Sequence, residues 1–129
     1  YAITWENTAL SVDIDIDDTV TSRIVFEHGG TYQVDFSCEL LSSNSSSKTI
    51  YIWPRINGTD ISNSTIVTSI SSNGDRLVTS RSGIFEVDDG DYLEAMFAVT
   101  NTGLTIDGSA ATAFSPSSPS ATIVLTEIR

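Results

Sequence analysis

The chain of 129 residues carries 17 Asp and Glu against 6 Lys and Arg, a formal net charge of −11. Its cations, Arg23, Lys48, Arg55, Arg76, Arg81 and Arg129, are scattered. That argues against nucleic acid, whose phosphates call for clustered Lys and Arg, and against anionic membrane surfaces. No apolar run approaches the roughly 18 residues of a membrane span, so no membrane insertion is expected, and no signal peptide is read. With one His and one Cys, zinc has no ligand set, and Cys38 has no partner for an internal disulfide. The length suits one domain over 1–129, able to bury about two-thirds of its unfolded surface without disulfides or structural metal. The chain begins at Tyr1 without Met, as expected of a processed product or a piece of a longer polypeptide. Residues 1–19 are read as an arm or first strand leading from that longer chain.

In chain order, Tyr1 to Trp5 is short and apolar and predicts a first strand. From Leu10 to Asp18, Val12, Ile14 and Ile16 alternate with Asp13, Asp15 and Asp17, predicting a strand with an acidic outer stripe. Ser22 to Glu27 is apolar again and precedes Gly29-Gly30, where φ > 0 is tolerated. Thr31 to Leu41 alternates over the longest span: Tyr32, Val34, Phe36, Cys38 and Leu40 on one side, Gln33, Asp35, Ser37 and Glu39 on the other. Successive strand side chains point to opposite faces, so this segment predicts the central strand of a core, with Cys38 as a small buried hydrophobe.

The run Ser42 to Lys48 has loop composition. Thr49 to Asn57 predicts a strand in which Pro54, lacking an N–H, belongs at an edge or a bulge. Asn57-Gly58 predicts a hairpin turn. Ser64 to Ser71 predicts another strand and Ser72 to Asp75 a turn. Arg76 to Val87 continues the sheet. Asp88 to Asp91 is a tight acidic turn. In Tyr92 to Thr100, Leu93, Ala95, Phe97 and Val99 face one way, and Tyr92, Glu94, Met96 and Ala98 the other. Leu104 to Ile106 is short, Gly108 to Pro119 is a loop holding a brief strand near Phe114, and Ser120 to Arg129 closes the chain. No segment holds a 3.6-residue apolar period over three turns. About eight to ten short strands between turn signals predict an all-β sandwich; meander, immunoglobulin and jelly-roll topologies fit that count, although the immunoglobulin Cys–Trp–Cys core is missing.

Several phrases carry a resemblance. Gly30-Thr-Tyr-Gln-Val-Asp-Phe-Ser resembles the glycine, x, tyrosine strand of tumour-necrosis-factor-like and complement-type jelly rolls. Trp53-Pro-Arg-Ile-Asn-Gly-Thr-Asp-Ile-Ser-Asn-Ser64 resembles a hairpin of bacteriophage members of that superfamily. Asp89-Gly-Asp-Tyr-Leu93 is similar to its Gly-Asp-x-Leu turn, and Pro116-Ser-Ser-Pro-Ser-Ala-Thr-Ile-Val-Leu125 to the closing strand of phage fibre and virion proteins. The resemblance covers residues 20 to 129. Phe114-Ser-Pro116 stands where the complement branch has Phe-Ser-Gly, which points away from that branch. The resemblance implies a TNF-like jelly-roll β-sandwich of about ten antiparallel strands that assembles as a homotrimer. It further implies a non-enzymatic role at the virion surface, as a tail-fibre, spike or capsid-fibre tip. The partners would be other virion proteins and a host surface receptor, glycan or protein. The alternative is a secreted complement-like lectin that binds glycan or protein with calcium; a third is a surface glycan hydrolase.

His28 is the single histidine and no Gly-x-Ser-x-Gly elbow is present, so no catalytic residue and no cofactor is assigned. Asp88, Asp89 and Asp91 around Gly90 come nearest to a chelating loop, and the same residues are ordinary turn formers. Asn44, Asn57 and Asn63 each head a glycosylation sequon, which a phage protein would leave bare. Tyr51, Trp53 and Arg55 share an outer face if Ile50, Ile52 and Ile56 take the core face; the opposite phase buries Trp53. With Tyr92, these are the candidates for receptor binding or for a subunit interface, where aromatics and Arg dominate the energetics.

Overall fold

The computed structural model describes residues 1–6, 8 and 13–128. Its strands are β1 (Ile14–Ile16), β2 (Ile24–Phe26), β3 (Gly30–Ser42), β4 (Lys48–Ile56), β5 (Thr59–Asp60), β6 (Ile66–Ile70), β7 (Arg76–Val87), β8 (Tyr92–Val99), β9 (Leu104–Ile106) and β10 (Ala121–Ile128). They form two antiparallel sheets. The larger runs β1-β2-β8-β4-β5, with β6 also on β4; the smaller runs β10-β3-β7, with β9 also on β3. The connections β2–β3, β3–β4, β6–β7, β7–β8 and β8–β9 each pass from one sheet to the other.

Strand β3 is paired along its length. It meets β7 from Gly30 to Leu41 on one side, and β10 from Thr31 to Cys38, then β9 from Leu40 to Ser42, on the other. Its alternation sends Tyr32, Val34, Cys38 and Leu40 inward, where they are buried. They meet the larger sheet in two clusters. Tyr32 and Val34 join Ile24, Phe26, Val87 and Leu93; Cys38 and Leu40 join Ile50, Ile52, Ile66 and Leu104. Both clusters contain residues from both sheets, which makes the fold a β-sandwich. Burial pushes the Cys38 thiol up to about 11, as expected of a cysteine used for its volume.

Strand β4 settles the phase question left by the sequence. Ile50 and Ile52 are buried, and Tyr51, Trp53 and Arg55 alternate to the outer face. Pro54 lies neither on an edge strand nor at a bulge. Its own pairing is with Ala95 of β8. On the other side of β4, β6 covers Lys48 to Ile52 and β5 covers Arg55 and Ile56, which leaves Pro54 between the two. Its carbonyl accepts Ile61 N–H from the intervening loop at 3.3 Å, and no ladder bond is asked of its nitrogen. The hairpin at Asn57-Gly58 forms as read: Ile56 pairs Thr59, and the two turn residues have φ of 50° and 79°. Two positive φ values in a two-residue loop match the right-handed twist of the flanking strands.

Three expectations are corrected. Tyr1 to Trp5 makes a single bridge, Ala2 to Met96, and no strand, although Ile3 N–H still reaches Ala95 O at 2.9 Å. The residues near Phe114 form no strand, and its ring is 98% exposed. The acidic stripe does not form. Val12 lies outside the described residues, Asp13 takes φ of 59° before β1, and Asp17 turns back to accept the N–H groups of Thr19 and Val20. Those local bonds are the kind a short Asp side chain offers in competition with a strand ladder; they, with the Arg23 charge, hold its carboxyl below the usual range against a smaller burial effect.

Lys48 is fully buried on the inward phase of β4, which the polar reading of the 42–48 loop missed. Its ammonium donates to the backbone O and the side-chain Oδ1 of Asn44, both at 2.8 Å. Asn44 Oδ1 also accepts from Ser46 N and Oγ, and Asn44 Nδ2 donates to Thr102 O. Gly103, at φ of 93°, sits so close that a Cβ there would collide with the Asn44 amide. The loop is thus folded over a buried charge that is solvated by one asparagine in place of water. Asn44→Ala leaves that ammonium short of acceptors and should cost about 2–3 kcal/mol in denaturant melts. Lys48→Met removes the need for them and should recover most of that loss in the Asn44→Ala background. Equal, additive losses would show that the two side chains do not act as a pair.

Candidate functional site

The outer face of the larger sheet gathers the four candidate residues. Tyr51, Trp53 and Arg55 run along β4, and the register sets Ala98, Met96 and Glu94 of β8 opposite them. Tyr92 continues the β8 row, on the phase alternate to buried Leu93. It is tied to the β4–β5 turn from both sides: Asn57 N–H donates to Tyr92 O at 3.0 Å, and Tyr92 N–H donates to Asn57 Oδ1 at 3.0 Å.

Fixed geometry on this face comes from residues that the sequence reading did not single out. Asp60, placed by the hairpin opposite Arg55, accepts Trp53 Nε1–H at 2.8 Å and Arg55 Nε–H at 2.9 Å through one carboxylate oxygen. The indole bond, then the guanidinium, hold the Asp60 carboxyl below its usual range. Arg23 lies over the Tyr92 ring, its Cζ 4.3 Å from the centroid, a cation–π arrangement. Val67 of β6 flanks Tyr51, and both are exposed. The result is a surface in which an indole, two tyrosines, Met96 and Val67 supply apolar area, while Arg55 and Asp60 supply oriented polar groups. Such a surface can bind by stacking and hydrogen bonding. The hairpin signal at Asn57-Gly58 was the available clue to Asp60, since a two-residue turn sets the residue opposite Arg55.

The acidic turn is spoken for internally. Asp91 Oδ2 accepts Asp88 N–H at 2.8 Å and Asp91 Oδ1 accepts Asn57 Nδ2–H at 2.7 Å; Asp89 Oδ1 accepts Gly29 N–H at 2.5 Å. The Asp88 N–H bond, then the Asn57 amide, hold the Asp91 carboxyl low. Asp89 and Asp91 therefore brace the β7–β8 turn against the β2–β3 and β4–β5 turns, and Asp88 is bonded to Asp91 within the turn. Among the described residues no three His, Cys, Asp or Glu side chains converge on one point. His28 is exposed, 3.8 Å from Asp13, and its carbonyl accepts the Tyr32 hydroxyl. Of the sequon asparagines, Asn44 and Asn57 have their amides engaged, while Asn63 stands exposed at φ of 59° in the β5–β6 loop.

The depressed Asp60 carboxyl has a measurable consequence. Its hydrogen bonds favour the charged form, so their contribution is present above the ordinary Asp value of 3.8 and is lost as pH falls through the lower folded value. Trp53 emission should change on acidification with a midpoint below 3.8, and Asp60→Asn should abolish that step; a step that persists in the variant would place the titration elsewhere. Compared with known proteins, the chain matches no protein-family model and no curated protein.

Proposed function

We propose that the chain is a non-enzymatic, TNF-like jelly-roll domain of a bacteriophage virion, assembled as a homotrimer, that binds a host-surface glycan or protein. The observation that carries this reading is the patch of Tyr51, Trp53, Arg55 and Tyr92, with Trp53 and Arg55 oriented by Asp60. Aromatic and Arg side chains held in place before binding lose little conformational freedom when a partner arrives. The jelly-roll topology is supported by the sheet orders β2-β8-β4-β6 and β10-β3-β7 and by the repeated passage of the chain between them. Self-association is supported by the smaller sheet. Val78 and Ile84 of β7 and Val124 and Ile128 of β10 are all exposed on its outer phase, on either side of the polar β3 row of Gln33, Asp35 and Glu39, and assembly would cover these apolar side chains. Calcium-dependent lectin chemistry, the alternative, draws no support from the acidic turn, where both Asp91 oxygens already serve protein donors.

Light scattering at micromolar concentration should give a mass near three times 13.9 kDa. Ile84→Asp with Val124→Asp should shift it toward one chain, and a wild-type monomer would overturn the trimer. On arrays of bacterial surface polysaccharides, Trp53→Ala should lower binding at least tenfold, as expected of an aromatic anchor. Binding that survives loss of Trp53 and Tyr51 together would overturn the assignment of this face. Calcium and a chelator should leave the binding unchanged.

A further inference from the structure

A cavity of about 530 Å³ reaches in between the sheets and opens to solvent beside Arg81. Its walls include Val34 and Leu93 of one core cluster and Ile52 and Ile66 of the other, with Phe36 and Phe85 beside them. On the inward phase of β8, Ala95 offers only a methyl group, and on that of β7 the Phe85 ring lies against Gly83, opposite Val34. Further along β7, Thr79 Oγ1 meets Thr68 Oγ1 of β6 at 3.2 Å and closes that edge of the sandwich. Beside Gly83 the lining is completed by the β5–β6 loop, including Ser62 and Asn63, by Trp53 and Pro54 of β4, and by Arg81.

Arg81 is on the inward phase: its register partner Phe36 alternates with buried Val34 and Cys38. It is also set apart by its partners. Lys48 is held by Asn44, Arg55 by Asp60, Arg76 by Glu39 and Asp107, and Arg23 lies over Tyr92. Among the described residues, Arg81 is the one Lys or Arg whose side chain makes no ion pair, hydrogen bond or ring contact. Arg81 is exposed, so its guanidinium is open to a ligand at the mouth of the cavity. Glu94 also touches the lining, but it sits on the outer phase of β8 and its carboxylate accepts the Ser22 hydroxyl at 2.7 Å.

We propose that this cavity binds a small amphipathic carboxylate, with its apolar body between the sheets and its carboxylate on the Arg81 guanidinium. The volume falls within the roughly 300–1,000 Å³ of small-ligand sites, which are mostly apolar with a few placed polar groups. Arg presents a planar fork that matches a carboxylate in two parallel hydrogen bonds. The site adjoins the outer face of the larger sheet at Trp53, which touches its lining, but lies away from Tyr51 and does not depend on the attachment role.

Sodium decanoate, kept below its micelle concentration, is the probe. Calorimetry should give saturable binding, with a matching saturable rise in melting temperature. Arg81→Gln, an exposed position whose change should leave the fold intact by circular dichroism, should weaken binding at least tenfold. Decyltrimethylammonium, with the same tail and the opposite charge, should bind at least tenfold more weakly than decanoate. Amide resonances of Gly83, Phe85 and Ile66 should shift on titration while those of Tyr51 and Val67 stay. Absence of saturable binding, equal affinity in Arg81→Gln, equal affinity for the ammonium, or shifts confined to the outer face would each overturn the proposal.

Discussion

The two-residue period of β3 is the constraint on which the sandwich depends. The strand is hydrogen-bonded on both sides, to β7 along one edge and to β10 and β9 along the other. A slip of one residue would turn Tyr32, Val34, Cys38 and Leu40 out to solvent and bring Gln33, Asp35, Ser37 and Glu39 into the core. Both core clusters include residues of β3, so the same slip would dissolve both. Burying four such side chains is worth several kcal/mol at about 25 cal/mol per Å² of apolar area, while the buried carboxylates of the slipped register would each cost several more. The sheets therefore have one register, and the outer faces inherit theirs from it.

What was legible in the sequence follows from that physics. Strands with one dry face announce themselves by alternation, so β3 and β8 were readable residue by residue, and the Asn57-Gly58 turn by its tolerance of positive φ. The all-β sandwich followed from those elements. Segments whose fate rests on distant partners were not readable. Tyr1 to Trp5 has strand composition, but β2 already takes the neighbouring stretch of β8 at Tyr92 and Leu93, leaving one bridge at Met96. Asp13 to Asp17 alternates correctly, yet local backbone acceptance by Asp17 ends the strand at Ile16. The phase of β4 was ambiguous because apolar residues occupy both faces there; the partners Leu40 and Leu104 decide it from across the core.

The candidate surface was half legible for a related reason. Aromatic and Arg side chains stand out in a sequence, so Tyr51, Trp53, Arg55 and Tyr92 could be named, but the group that orients two of them is one aspartate among many acids. Asp60 gains its role only when the hairpin folds back and sets it opposite Arg55. Lys48 shows the reverse. Its charge predicts exposure, and it is buried because Asn44, four residues earlier, returns two oxygens to it.

The acidic residues, which dominate the composition, do not act as one class. Asp17, Asp60 and Asp91 each accept two hydrogen bonds from N–H groups, and each is held below the usual carboxylate range by those bonds. Their contribution exists only while they are charged and is lost as pH falls below 4. Glu27 stands on the other side: a hydrogen bond with Asp15, then burial and the charges of Asp15 and Asp13, push its carboxyl up. That repulsion is present at neutral pH and relieved as acidification passes through the raised value, above the range in which the turn aspartates lose their bonds. Mild acid therefore removes a penalty at the β1–β2 edge before it removes any turn. The charge that dominates the composition thus carries two opposed effects, separated in space and in pH, and neither requires an ion to be bound. Asp60 and Asp91 spend their charge on the turns beside Trp53, Arg55 and Tyr92, so the geometry of the outer face is itself a product of the acidic composition.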